Sequence, residues 1–387
     1  MDSENKKINA ACDMLRLCVC ALTGRGGETV DRSTMALADV YRMSTFNGLV
    51  SLVSEGIEKL GIERTEENAP VLDAFVQARA MAVRKNLLLD TERATILSHL
   101  EENGIWYMPL KGVILKDMYP KLGLRQMSDN DILFDGAFRE HIRDYFLSLD
   151  YSIEHYNEGF HDVYHKKPIF NYEMHVELYG ENWVALQDYY KDVKKRLIKD
   201  DDNGFGYHFT DEDFYIFLVF HAYKHFALSE SIGARHLIDV FVYLKKKPNL
   251  DFEYIENELN KLGVWQFDCD CRELVCEIFD KVETFDIVKL SDGMRKTLEA
   301  FMLNMFNISK TVKIDNSIKK KGKFGYVMSR IFPGVKFMGK YKPIFGHWYM
   351  LPVGWVYRAF DIMFNRSGKI ASEMKIVAKT KQKKDKE

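Results

Sequence analysis

Several protein classes are excluded by what the sequence lacks. No run of about 18 apolar residues occurs, so the sequence predicts no membrane-spanning helix. The polar N-terminus lacks the apolar segment and small-residue cleavage site of a secretory signal. The six cysteines lack Cys-x-x-Cys spacing, which excludes a zinc knuckle, and they form no regular disulfide framework. We therefore expect a cytoplasmic protein whose cysteines are reduced, buried thiols.

A large net charge is also absent, because the total is −2 at pH 7. The charge is nevertheless uneven along the chain. From residue 310 to the end there are 19 Lys and Arg against 5 Asp and Glu, whereas residues 1–309 hold 36 against 52. An acidic body followed by a basic segment favours an anionic partner for that segment.

Apolar residues make up 47% of the chain, and 26 Phe and 20 Tyr are available to fill a large core. Helical spacing dominates the start of the chain, strand-like runs follow from Gly104, and helical spacing returns after Asp211. The sequence predicts an α+β protein in which a small sheet domain is flanked by helical regions. The predicted parts are N-terminal helices at 1–100, an α/β domain at 101–205, a C-terminal helical domain at 206–309 and a basic aromatic segment at 310–387, ending in a disordered tail.

Two carboxylates with one residue between them, Asp129 and Asp131, lie in a predicted strand at 127–134. Side chains at positions i and i+2 of a strand project from the same face, so the pair can hold one or two metal ions. Other closely spaced acids, such as Asp200–Asp202, are interpreted as turns, caps or solvated faces. Asp129 and Asp131 differ in context, because an apolar strand, a Lys-Gly turn and Arg125 precede them and an apolar run follows.

A third carboxylate usually completes such a metal site from a neighbouring strand. The predicted strand at 169–178 places Glu173, His175 and Glu177 in alternation on one face. Either Glu173 or Glu177 can serve, and the residues alone leave this choice open.

Ordered motifs across the chain resemble a bacterial family of uncharacterised nucleotidyltransferases in the polymerase-β superfamily. That family carries Leu-Lys-Gly, then Tyr-Pro, then Arg-x-x-x-Asp-x-Asp-Leu-Leu, and later an acid-x-His strand. The resemblance covers roughly residues 75–360. The matching segments are Met108–Pro120, Gly123–Leu133, Glu173–His175, His221–His225 with Arg235 and Asp239, Phe332-Pro333 and Leu351–Trp355.

The resemblance implies a polymerase-β-type sheet domain and a site for a nucleoside triphosphate such as ATP. By this carry-over Asp129 and Asp131 bind Mg²⁺ or Mn²⁺, and Glu173 is the third acid. Lys111 and Gly112 take the place of the Gly-Ser turn that holds the β- and γ-phosphates in many superfamily members. This departure removes the usual serine contact, so Lys111 is expected to offer a point charge to the phosphates and Gly112 a close backbone approach.

Five further residues are candidates for nucleotide contacts. Arg125 either contacts phosphate or pairs with an acidic neighbour, and His175 either orients Glu173 or touches substrate. A separate expectation is an i, i+4 ion pair between Arg235 and Asp239 on one helix. The remaining candidates are Ser128, beside the carboxylate pair, and His221 with His225, on one helix face where Ala222 excludes the zinc-peptidase pattern.

The function predicted is transfer of a nucleoside monophosphate from a triphosphate to an acceptor hydroxyl or phosphate, with release of pyrophosphate. A second hypothesis is a non-catalytic nucleotide-binding or regulatory protein that keeps the fold, motivated by the altered phosphate turn. The basic segment at 310–387 is open to three interpretations: contact with a membrane surface, contact with nucleic acid or another anionic acceptor, or a solvated lysine-rich surface.

Overall fold

The computed structural model describes residues 2–227 and 233–302, and beyond these residues 325, 327–335, 338, 345 and 347–365. The chain divides into two compact units, 1–306 and 307–387. Twelve α-helices are described in the first unit. They are α1 Asp2–Thr23, α2 Leu37–Phe46, α3 Val50–Leu60, α4 Ala69–Glu102, α5 Gly112–Leu115, α6 Arg139–Ser148, α7 Val184–Tyr189, α8 Asp211–Ala227, α9 Arg235–Lys246, α10 Phe252–Lys261, α11 Trp265–Phe279 and α12 Asp292–Phe301.

Five strands form one mixed sheet in the order β1-β2-β5-β4-β3, and two further strands form a hairpin-like pair. β2 runs parallel to β5, while the other neighbours in the sheet are antiparallel. The strands are β1 Tyr107–Pro109, β2 Asn130–Phe134, β3 Ser152–His155, β4 His161–Lys166, β5 Phe170–His175, β6 Leu197–Lys199 and β7 Tyr207–Phe209.

One face of the sheet is covered by helices α4 and α6. Alternate strand residues Ile132 and Phe134 point to this face and pack with Phe146 of α6 and Leu100 of α4, all four fully buried. The intervening residues of β2 point to the opposite face, where Leu133 joins a different core. The alternation of a strand therefore places Asp131 on the face that α4 and α6 do not cover.

The N-terminal and C-terminal helices of the first unit share one continuous core. Leu15 and Leu52 from the start of the chain belong to the same buried cluster as Leu237 and Leu274 from its later helices. Arg16 also donates to the carbonyl of Phe285 at 2.6 Å. The two helical regions thus stabilise each other across the sequence, and the division into domains at 100, 205 and 309 stays a prediction.

Helices α1 and α3 approach each other closely at Gly56. A Cβ at this position would lie 2.2 Å from the carbonyl oxygen of Leu17. Because α1 is itself a regular helix, that oxygen has little freedom to move. Glycine is therefore required at position 56 by helix packing.

Gly56→Ala should destabilise the protein by at least about 2 kcal/mol, because it overpacks the α1–α3 contact. The same substitution at an unhindered helical site normally stabilises by about 0.5–1 kcal/mol through helix propensity. Gly293→Ala in α12 is the matched control, since a Cβ there meets nothing closer than Ser291 Oγ at 4.0 Å. Chemical denaturation of both variants measures the difference, and an unchanged midpoint for Gly56→Ala would contradict the packing argument.

The predicted helices and strands agree with the structure in type more closely than in their first and last residues. The predicted helix at 235–246 is α9 as observed, whereas the strand predicted from Met127 begins only at Asn130, which leaves Asp129 just before β2. Buried thiols are confirmed for Cys12, Cys18, Cys20 and Cys271, whereas Cys269 is only partly buried and Cys276 is exposed, so the prediction is wrong for Cys276.

In the second unit, a final helix, α13, spans Leu351–Asn365. Trp355 Nε1 donates to the carbonyl of Pro333 at 2.9 Å and so joins two separated segments of this unit. No described helix has the length and apolarity needed to cross a bilayer. Most lysines of the basic segment, and the predicted tail at 379–387, lie outside the described residues.

Candidate active site

A cavity of about 380 Å³ lies on the sheet face that α4 and α6 leave uncovered. Its walls come from β2, β4 and β5, from the turn into α5, and from helices α8 and α9. All ten residues predicted from the sequence line this cavity: Lys111, Gly112, Arg125, Ser128, Asp129, Asp131, Glu173, His175, His221 and His225.

The centre of the site is a carboxylate–histidine group. Asp131 and Glu173 are register partners on the parallel strands β2 and β5, and His175 follows Glu173 by two residues on the same face. His175 Nε2 lies 3.0 Å from Asp131 Oδ1 and 3.7 Å from Glu173 Oε2. One ligand atom from each of the three residues lies within 4.8 Å of the others. Parallel pairing therefore brings together acids that are 42 residues apart.

The other two predicted carboxylates differ in position. Asp129 lines the same cavity from the segment before β2, although it is not part of the three-residue group. Glu177 lies beyond the end of β5, is exposed, and accepts a hydrogen bond from Gln187. Of the two acids that the sequence left open, the fold brings Glu173 to the cavity.

Lys111 provides the positive charge at the centre of the site. Its Nζ donates to Asp131 Oδ1 at 2.7 Å. The backbone of Lys111 has a φ of 48°, a conformation that a residue with a side chain rarely adopts. Gly112 next to it is packed so closely that a Cβ would lie 2.6 Å from Arg125 Nη1. The Lys-Gly turn thus directs the ammonium group onto the carboxylates.

The carboxylates differ in protonation because of their surroundings. Burial and the neighbouring Asp131 raise the pKa of Asp129 to about 6 and that of Glu173 to about 7. Burial also acts on Asp131, but Lys111 and His175 outweigh it and hold the pKa of that carboxyl well below its usual range. The charge of Lys111 thus stabilises the ionised form of Asp131, while burial keeps the pKa of Asp129 and that of Glu173 above their ordinary values.

The residues present fit a divalent metal ion. Asp131, Glu173 and His175 offer two carboxylate oxygens and one imidazole nitrogen at mutual distances compatible with a shared ion. Burial and the neighbouring Asp131 raise the pKa of Glu173, and a bound cation would favour the ionised form of this carboxyl. The arrangement can therefore hold a metal, and the donor set does not identify which one.

The guanidinium of Arg125 forms a buried ion pair and is not left free toward the cavity. Its Nε and Nη2 donate to the two carboxylate oxygens of Asp239 at 2.8 and 2.9 Å, and Tyr119 Oη donates to the same carboxylate at 2.7 Å. The expected ion pair between Arg235 and Asp239 is wrong, because Asp239 is occupied by Arg125 and Arg235 donates to the carbonyl of Gln126. Because α9 packs against the segment before β2, Asp239 pairs with Arg125 of that segment and not with Arg235 of its own helix.

Histidines form a second wall of the cavity. His161 on β4 stacks on His175 with ring centroids 5.1 Å apart, and His221 contacts His225 on α8. Burial, with His175 nearby, lowers the pKa of His161 to about 4, and burial lowers that of His221 well below its ordinary value. Both rings are therefore neutral near pH 7.

Several lining residues were not predicted as site residues from the sequence. Some of them, such as Lys224 and Arg235, lie in the matching motifs but were not given a role in the site, and the alternation of β4 could have pointed to His161 once its pairing with β5 was known. The cavity residues missed in this way are Leu110, Leu115, Phe160, His161, Leu178, Tyr179, Phe217, Leu218, Lys224, Arg235, His236 and Asp239.

Fold and site together define an α+β protein with a buried carboxylate–histidine group, able to hold a metal, in a cavity that also presents cations. The chain belongs to the family described as uncharacterised nucleotidyltransferase, whose model matches residues 34–280. That range contains every residue of the cavity and confirms the family resemblance. Residues 332–355 lie outside it, so their resemblance stays a prediction. Searches of curated proteins and of solved structures gave no significant match.

Proposed function

We propose that this protein is a metal-dependent nucleotidyltransferase of the polymerase-β type. It would move a nucleoside monophosphate from a triphosphate to an acceptor hydroxyl or phosphate. The observation that carries the proposal is the pairing of Asp131 with Glu173 on adjacent parallel strands inside the cavity. Membership of the family supports the reaction class, and the mixed sheet with acids on neighbouring strands supports the polymerase-β topology.

The charges that line the cavity suit a metal-bound triphosphate. Four carboxylates, Asp129, Asp131, Glu173 and Asp239, face four basic residues, Lys111, Arg125, Lys224 and Arg235. These charges nearly cancel, so the cavity alone has little attraction for a polyanion. One or two divalent cations would make it positive, which favours a triphosphate.

In this proposal Asp131 and Glu173 hold the metal, with Asp129 or His175 completing the set. The metal, Mg²⁺ or Mn²⁺, supplies Lewis-acid stabilisation of charge on the phosphates when bound. Lys111 is released from Asp131 to the phosphates, and the turn at Gly112 and Ser128 borders them. An oxygen of the acceptor bonds to the α-phosphorus, and a hydroxyl acceptor passes its proton to water or to the carboxylate of Glu173. The bond from that phosphorus to the bridging oxygen breaks, and pyrophosphate leaves.

The reaction class is tested by finding which phosphorus of the triphosphate, α or γ, is transferred to the acceptor. The protein is incubated with Mg²⁺ or Mn²⁺, each of the four nucleoside triphosphates, and separate pools of small metabolites, RNA and protein as acceptors. We expect label from the α-phosphate in one acceptor pool and label from the γ-phosphate in pyrophosphate. Glu173→Gln should abolish the transfer, while Glu177→Gln, the exposed acid of the same segment, should not. Transfer of γ-label to the acceptor would instead show a kinase.

One observation favours a second candidate, a nucleotide-binding protein without turnover. The ammonium of Lys111 is bonded to Asp131, where a metal ligand is needed, and the Gly-Ser phosphate turn is absent. If Lys111 stays there with nucleotide bound, the site binds but does not transfer. This alternative would be supported if the protein binds nucleotide but releases no pyrophosphate in the presence of any of the acceptor pools.

The remaining proposals concern location and partners. We propose a cytoplasmic protein, which the six free thiols support. An anionic acceptor, a nucleic acid or a membrane surface at the basic segment stays a proposal based on its 19 Lys and Arg.

A further inference from the structure

Two arginines line the cavity, and they differ in how their donors are used. Arg125 donates through Nε and Nη2 to both carboxylate oxygens of Asp239, and its Nη1 lies 3.5 Å from Met127 Sδ. Withdrawing Arg125 toward a ligand would leave Asp239 buried and unpaired, which is costly. Arg125 is therefore unsuited to binding a phosphate.

Arg235 has most of its donors left. A guanidinium carries five N–H donors, and the hydrogen bond of Arg235 is a single one, from Nη1 to the carbonyl of Gln126 at 3.2 Å. Among the described residues, no carboxylate forms an ion pair with it. Asp239, four residues on in the same helix, is already bonded to Arg125.

The surroundings of Arg235 keep this cation in place without neutralising it. The side chain is only partly exposed and lines the cavity at the start of α9. The guanidinium packs on Gly48, where a Cβ would lie 3.2 Å from Nη1. Burial, with Arg125 nearby, lowers the pKa of Arg235, while the carboxylates of Asp239 and Asp129 act in the opposite direction without outweighing burial. A desolvated cation with free donors is costly unless an anion binds it.

We propose that Arg235 is the arginine that binds phosphate groups in this cavity, and that Arg125 only shapes its wall. This inference rests on the proposed function for the identity of the ligand, a triphosphate. Arg235 is the first residue of α9, so it approaches the phosphates from the helical side of the cavity. Lys111 approaches from the sheet side. The planar fork of Arg235 suits two phosphate oxygens at once.

A purely structural role for Arg235 would give different consequences. If it served only to tether Gln126, its loss would weaken the fold and leave anion binding intact. One neutral hydrogen bond contributes little, and removing an uncompensated cation relieves a cost. Under the proposal, the loss of Arg235 leaves stability unchanged or raised and weakens the binding of phosphates.

Calorimetric titration with inorganic tripolyphosphate and with a nucleoside triphosphate, each with Mg²⁺ or Mn²⁺, tests the proposal. For Arg235→Gln we expect affinity for both probes to fall at least about 10-fold, with an unfolding midpoint equal to or above that of the wild type. Arg235→Lys should keep part of the affinity, because it keeps the charge and loses the fork. Arg125→Lys is the matched comparison, and its main effect should be a lower unfolding midpoint.

The outcomes separate this inference from the proposed reaction. Arg235-dependent binding of tripolyphosphate without nucleotidyl transfer would keep the phosphate site and reject the reaction. Nucleotidyl transfer with unchanged affinities in Arg235→Gln would reject the phosphate site and keep the reaction. The assignment of Arg235 is also overturned if the wild type binds neither probe, or if Arg235→Gln unfolds as readily as Arg125→Lys.

Discussion

Asp131→Asn should lower the metal-dependent affinity for nucleoside triphosphate by at least about 100-fold. Asp131 is the hub of the site, because Lys111 Nζ and His175 Nε2 both lie within 3.0 Å of its Oδ1 and Glu173 is its register partner. Asparagine keeps the shape and one acceptor oxygen but loses the negative charge that attracts a divalent cation. Titration of nucleotide with and without Mg²⁺ or Mn²⁺ measures the effect.

Two controls make this result interpretable. Glu177→Gln removes a carboxylate from the same segment outside the cavity, so its affinity should match that of the wild type. The thermal midpoint of Asp131→Asn should be compared with that of the wild type in the absence of metal, to show that the variant is folded. Metal-dependent binding of equal strength in Asp131→Asn would refute the assignment of this carboxylate.

The second large effect concerns stability, and we expect Asp239→Asn to destabilise the fold by about 3–5 kcal/mol. The carboxylate is buried and receives Arg125 through two hydrogen bonds and Tyr119 through a third. Asparagine cannot neutralise the guanidinium, which remains buried with an uncompensated charge. Because the pair joins α9 to the segment before β2, the loss acts between elements that are 114 residues apart. Denaturant unfolding measures the change.

An exposed ion pair supplies the matched control. Arg64 and Asp73 form a similar two-bond pair at 2.8 Å, with side chains 55% and 51% exposed. Asp73→Asn should leave the unfolding midpoint almost unchanged, because water screens exposed charges. The double variant Arg125→Met/Asp239→Leu should recover part of the loss, since it removes both buried charges. Equal effects of Asp239→Asn and Asp73→Asn would show that burial of the pair is not what stabilises the fold.

Much of the fold was predictable from local pattern. The five strands and the helix at 235–246 follow from periodicity, which depends on residues close together in sequence. Strand ends were less predictable: β2 starts at Asn130 because the segment from Arg125 to Asp129 contacts α4 and α9 instead of a neighbouring strand. Asn86 of α4, for example, donates to the carbonyl of Arg125, and Lys85 donates to that of Ser128.

For the site, the sequence by itself determined the chemical groups. Asp129, Asp131, Glu173 and Lys111 stand in ordered motifs, and their residue types alone favour a metal and a phosphate ligand. The resemblance had already favoured Glu173 over Glu177, whereas the place of His161 in the cavity and the pairing of Arg125 with Asp239 are visible only in the tertiary structure. A motif records neighbours along the chain, whereas these pairings depend on parallel pairing of β2 with β5 and on α9 packing beside Arg125. Local sequence therefore determined which chemical groups are present, and long-range packing determined which of them line the cavity.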